Sequence, residues 1–132
     1  MNSKTITLTL NAPKSEVFTF ISNIENLPKW ATEFCQELKK DGDKYKVISC
    51  NPDAPELFFN IRSDQSTGVV DMFAGPTLEQ MSVFPTRVVE LSGSASVYIF
   101  TMFQMPGMSD ELFNTQYDSL AKEFVNIRQR FA

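Results

Sequence analysis

Histidine is absent from these 132 residues. That removes Ser-His-Asp and Cys-His nucleophilic catalysis, and with them the commonest transition-metal ligand. Cysteine occurs twice, as Cys35 and Cys50, at a spacing that suits no metal motif. The two are expected to be reduced and buried rather than bonded. No apolar run approaches the roughly 18 to 20 residues of a membrane-spanning helix. Met1-Asn2-Ser3-Lys4 leads directly into an alternating segment, not into the apolar core of a signal peptide. A cytoplasmic protein with no integral membrane association is therefore expected. Basic clusters are also missing: Lys39-Lys40 is the densest, and Asp41 follows at once. With a net charge of −4, neither a nucleic-acid backbone nor an anionic lipid surface is an expected partner. No cofactor, metal or catalytic residue is predicted.

What is present is an ordinary globular composition, 42% hydrophobic and 21% charged, with Phe strongly over-represented. The length suits a single domain, 1–132, with a sizeable core. The clearest element closes the chain. Pro106-Gly107 stops a strand pattern, Ser109 is placed to cap a helix, and Asp110 and Glu111 follow at the positive end of its dipole. Phe113, Tyr117, Leu120, Phe124, Ile127 and Phe131 recur at spacings of 4 and 3, one helical face running to Ala132. Asn114, Asp118, Lys122 and Gln129 form the polar side. Core packing is the ordinary role of such a stripe. Roofing a cavity with its N-terminal half, with Tyr117 as the polar handle, is the sharper one.

Ahead of that helix the pattern has period 2. Ile6, Leu8 and Leu10 alternate with Thr5, Thr7 and Thr9, a half-buried strand. Pro13 and the spacing of Val17, Phe20, Ile21 and Ile24 predict a short helix. Leu27, Trp30 and Phe34, with Pro28, predict a second. Asp41-Gly42-Asp43 predicts a hairpin turn between strands at Glu33–Lys40 and Lys44–Cys50, and residues 51–55 a loop. Leu57–Arg62 and Val69–Ala74 are expected to pair through a turn at 63–68, with Phe59 opposite Met72, Ile61 opposite Val70 and Asn60 opposite Asp71. Arg62, diagonal to Asp71, would make an exposed ion pair with it. Gly75-Pro76 predicts a turn, Glu79–Leu91 one long strand bent or bulged at Pro85, residues 92–95 a turn, and Val97–Met105 a strand apolar on both faces.

Hairpin connections between about six to seven strands imply an α+β fold, a curved antiparallel sheet wrapped on the terminal helix. In this order of elements the chain resembles the helix-grip, START-like superfamily of polyketide cyclase/dehydrase and lipid-transport proteins. Asn11-Ala12-Pro13 with Val17-Phe18, Asn23 to Trp30, Gly68-Val69-Val70-Asp71, Pro85 to Val89 with Phe100-Thr101, and Pro106 to Ser109 carry the resemblance. It implies a hydrophobic small molecule held between helix and sheet. It leaves open aromatase/cyclase chemistry and protein partnering.

On this reading the ligand-binding residues are Trp30, Phe59, Ile61, Val70 and Met72, the inward row Tyr98, Phe100 and Met102, and the helix residues Phe113, Tyr117, Leu120 and Phe124. A hydrophobic or aromatic small molecule is the expected partner. A cyclase or dehydratase would instead use Tyr98, Tyr117 or Arg87 to polarise a substrate carbonyl, with polar groups converging in the cavity. A co-chaperone-like interaction domain or homodimer would use the outer face of the strand from Val97.

Overall fold

The computed structural model describes residues 1–49 and 53–132. Cys50, the end of the expected strand there and the first half of the expected loop lie outside these residues. Among the described residues eight strands and three α-helices follow one another, with a 3-10 turn at Ile24–Asn26 before the second helix: β1 (Ser3–Leu10), α1 (Lys14–Ser22), α2 (Leu27–Trp30), β2 (Glu37–Asp41), β3 (Lys44–Ile48), β4 (Leu57–Asp64), β5 (Val69–Thr77), β6 (Gln80–Phe84), β7 (Thr86–Ser92), β8 (Ala95–Phe103) and α3 (Asp110–Arg130). All strand pairs are antiparallel, in the order β1-β8-β7-β5-β4-β3-β2, with β6 on β5. A long C-terminal helix and two short ones packed on an open antiparallel sheet make the helix-grip α+β fold.

Alternation determines which face is covered. Leu8 and Leu10 of β1, Val88 of β7, and Tyr98, Phe100 and Met102 of β8 are all buried. They lie on one face because Leu8 pairs with Tyr98 and Tyr98 with Val88. Val17 and Ile21 of α1 and Phe113, Leu120, Phe124 and Ile127 of α3 are buried in the same core. Ser109 caps α3 as its position predicts: the Leu112 amide donates to its Oγ at 3.0 Å. Gly107, at φ 86°, makes the turn that precedes the cap.

Several local expectations change. The β4–β5 register is shifted by two residues: Phe59 opposes Ala74, Asn60 opposes Phe73, Ile61 opposes Met72, and Arg62 directly opposes Asp71. The turn is shorter than the one predicted from Ser63. Asp64 ends β4 and organises the loop, with Oδ1 accepting from the Ser66 amide and hydroxyl at 3.0 and 2.8 Å. The Gly68 amide closes onto the Asp64 carbonyl at 2.9 Å with φ 78°. A shift of two leaves every side chain on its predicted face, so the polar pattern could not detect it. Arg62 does not pair with Asp71. Its guanidinium lies 5.3 Å from the Phe73 ring centre instead.

Gly75-Pro76 is not a turn but part of β5, which reverses at residues 78–79. Gly75 is there because a Cβ would stand 1.9 Å from the Gln80 carbonyl oxygen. Phe34 falls after α2, and β2 begins at Glu37, because Thr32 to Phe34 form a turn. The expected bend at Pro85 is a break between β6 and β7. β5 keeps one register across it, from Val69–Arg87 to Met72–Phe84. The Thr86 hydroxyl donates to the Val70 carbonyl at 2.6 Å, next to the proline that has no N–H to give. On its other side Pro85 ends the β7–β8 ladder, whose last backbone link is Thr101 N–H to the Pro85 carbonyl at 3.0 Å. Past that point β6 follows β5, while β8 follows β1 out to Ser3–Phe103. The two strands separate there.

Candidate functional site

A cleft of about 500 Å³ lies where β6 and β8 part, under α3. One wall is apolar: Phe59 of β4, Met72 and Ala74 of β5, Phe84 of β6, and Phe100 and Met102 of β8. Leu27, Trp30 and Phe34 close the end formed by α2 and its following turn. The third side is α3, which presents Thr115, Gln116, Ser119, Leu120 and Glu123. Pro55 and Leu57, with Phe103, Met105 and Met108, complete the rim. The volume lies within the range of sites that enclose a small organic molecule.

Of the residues expected to bind ligand, the structure brings Trp30, Phe59, Met72, Phe100, Met102 and Leu120 together around the cleft. It places the other six elsewhere. Val70 and Tyr98 are fully buried beneath the wall, Phe124 packs on the Tyr98 ring at 5.5 Å, and Ile61 is half-buried at the edge of the core. Phe113 and Tyr117 turn toward β1, where the Lys4 ammonium sits 5.5 and 4.6 Å from their ring centres. Tyr117 is therefore not the polar handle of the cavity. The apolar stripe of α3 faces the sheet, and the cleft opens along the flank of that stripe, one row round the helix.

That flank carries the residue that periodicity missed. Glu123 is 4% exposed and lines the cleft. Its Oε2 accepts from the Glu33 and Phe34 amides at 3.0 and 2.9 Å. Burial pushes its carboxyl up to about 7, a shift that these two amides oppose and the nearby Glu33 charge reinforces. Asn126, one turn on, donates to the Trp30 carbonyl and to Thr32 Oγ1, both at 3.0 Å. The two side chains tie the turn after α2 to α3 and so hold Trp30 and Phe34 at the end of the cleft. A signal was available in the sequence: Glu123 is three residues after Leu120 and four before Ile127, which sets a carboxylate at the edge of the apolar stripe.

Tyr98 is the other buried polar group. It has zero exposure, and rings of Trp30, Phe100 and Phe124 surround it. Its hydroxyl is without a hydrogen-bond partner among the described residues. Desolvation raises its pKa strongly, and the nearby Thr86 hydroxyl, whose own proton is given to Val70, opposes the rise. A buried unpaired hydroxyl lowers stability. Tyr98→Phe is expected to be neutral or stabilising by up to about 1 kcal/mol in urea denaturation. A loss above about 1.5 kcal/mol would reveal a partner for the hydroxyl.

The Arg87 side chain is exposed and donates from Nε to the Thr67 carbonyl at 3.0 Å. Tyr98, Tyr117 and Arg87 thus point to three different places. Among the described residues no three potential ligand side chains form a metal cluster, and no helix is long and apolar enough to cross a membrane.

No protein-family model matches the chain, and no curated protein matches it. Solved structures do. Protein XoxI from Bacillus cereus is 15% identical with a TM-score of 0.75, covering 99% of this chain and 96% of that one. Zhui aromatase/cyclase from Streptomyces sp. R1128 is 12% identical with a TM-score of 0.66, covering 97% and 89%. A START superfamily protein from Mycobacterium smegmatis is 12% identical with a TM-score of 0.63, covering 98% and 99%. The likeness establishes the helix-grip fold. At these identities it establishes the fold alone.

Proposed function

We propose that this protein binds a hydrophobic or aromatic small molecule in the cleft between α3 and the sheet. The observation that carries the reading is the cleft itself, about 500 Å³ walled by Trp30, Phe59, Phe84 and Phe100 with Met72 and Met102. Removing apolar ligand surface from water drives such binding at roughly 25 cal/mol per Å² of buried area. The polar row on α3 orients the ligand. Thioethers in the wall and at the rim let the site adapt to shape. The enzyme reading draws no support from the geometry, since the three residues it requires do not meet. The interaction reading would use the outward row Val97 and Ile99 of β8, each of which is half-buried within its own sheet.

Titration with the neutral fluorophore N-phenyl-1-naphthylamine tests the proposal. Saturable one-to-one binding is expected, with quenching of Trp30, the single tryptophan. Ala74→Phe, which puts a ring into the cleft, is expected to weaken binding by at least about tenfold while leaving the far-ultraviolet circular dichroism unchanged. Absence of saturable binding, or equal binding by the Phe variant, would remove the proposal.

A further inference from the structure

The cleft is chemically two-sided. Gln116, Ser119 and Glu123, at spacings of 3 and 4, form a polar row along α3, opposite the apolar wall of β4, β5, β6 and β8. Among the described lining residues the charged ones are Glu33 and Glu123, both acidic, with no lysine or arginine. The Glu33 carboxylate is on the rim and has Lys122 at 3.8 Å. Glu123 is 96% buried by its 4% exposure. One of its oxygens already holds two backbone amides, which leaves Oε1 as the acceptor free for a third donor. A buried carboxylate facing an apolar wall attracts a donor strongly, because little water competes, and repels a second carboxylate for the same reason.

Granting the ligand-binding reading above, we infer that the cleft selects apolar molecules that end in a hydrogen-bond donor, a protonated amine above all, and rejects fatty-acid carboxylates, with Glu123 as the residue that reads that end. The donor end lies between Glu123 and Ser119, and the apolar remainder lies on Met72, Phe84 and Phe100. The groups that face Glu123 do not reverse this preference. From the turn after α2 it meets Glu33, whose charge adds to its own. On α3 it has Lys122 beside it, drawn outward to Glu33. The sheet wall opposite contributes no charged lining residue.

Three octyl compounds of equal chain length test the selection: octylamine, octan-1-ol and octanoate. Each is titrated into the full chain against bound N-phenyl-1-naphthylamine. At pH 8 the expected order of affinity is amine, alcohol, octanoate, with the amine at least about tenfold tighter than octanoate. Octylamine stays cationic from pH 8 to pH 5.5, so its expected weakening over that range, roughly tenfold, reports protonation of Glu123. Glu123→Gln is expected to bring amine and octanoate within about threefold of each other. The wild-type order and pH dependence stand as tests even if that variant folds poorly. Ala74→Phe separates binding in the cleft from attraction of the amine to an acidic surface, because it blocks only the first.

Octanoate binding as tightly as octylamine overturns the inference and leaves the ligand-binding reading in place. So does failure of every octyl compound to displace a bound naphthylamine. Failure of the naphthylamine itself removes both.

Discussion

Glu123→Gln, unfolded in urea at several values between pH 5 and pH 8, is expected to lose most of a pH dependence that the native chain shows strongly. The native carboxyl titrates near 7, against 4.5 for the unperturbed group. Between those values the folded chain keeps a proton that the unfolded chain has released. The unfolded state therefore binds fewer protons, and stability falls as pH rises through that window. Below it both states are protonated and the cost vanishes. Above it both are ionised and the full cost is present. At about 1.4 kcal/mol per pH unit, the loss from pH 5 to pH 8 is about 3 kcal/mol. Glutamine keeps a carbonyl oxygen for the Glu33 and Phe34 amides but carries no charge. It should match the native chain at pH 5 and exceed it at pH 8. Glu123→Ala separates the two roles: it leaves both amides without their acceptor and should cost about 2 to 4 kcal/mol at pH 5. Parallel pH profiles for the native and Gln chains would mean that the folded carboxyl is not held protonated.

Trp30→Ala is expected to be the most damaging single truncation near the cleft, at about 3 to 5 kcal/mol. The indole is 2% exposed and meets the Tyr98 ring edge-on, with centroids 6.5 Å apart. It belongs to a helix of four residues, which contributes little stability of its own. α2 stays in place through the packing of Leu27 and Trp30 and through the bond from Asn126 to the Trp30 carbonyl. Truncation empties the end of the cleft and removes an edge-to-face partner of Tyr98. Trp30→Phe should recover more than half of the loss. Circular dichroism has to follow the unfolding, since the substitution removes the only tryptophan. A loss below about 1 kcal/mol would show that the indole hangs in the cleft and supports nothing.

The two expectations meet at one joint. Glu123 and Asn126 hold the turn that follows α2, and Trp30 and Phe34 extend from that joint into the end of the cleft. A ligand that draws the Glu123 carboxylate toward itself acts on the same contacts that hold α2 against α3. Binding and local stability are then coupled.

The local elements were legible in the amino acids because local rules decide them. Ser109 followed by two acidic residues marks the start of a helix wherever it is placed, and a 4-3 apolar spacing gives that helix a buried face. Alternation told which residues of β1, β4, β5 and β8 face inward, and Pro85 told where a strand must bend. What only the tertiary structure decided is how those faces meet. Pairing by alternation is unchanged by a slip of two residues, so the β4–β5 register depended on the Asp64 turn. The break at Pro85 became a cleft because β6 and β8 each found a different neighbour beyond it. A helical stripe shows which side is buried but not whether a neighbouring element or a void lies beside it. For that reason Tyr117, on the stripe, ended against Lys4, while Glu123, on its flank, came to line the cavity.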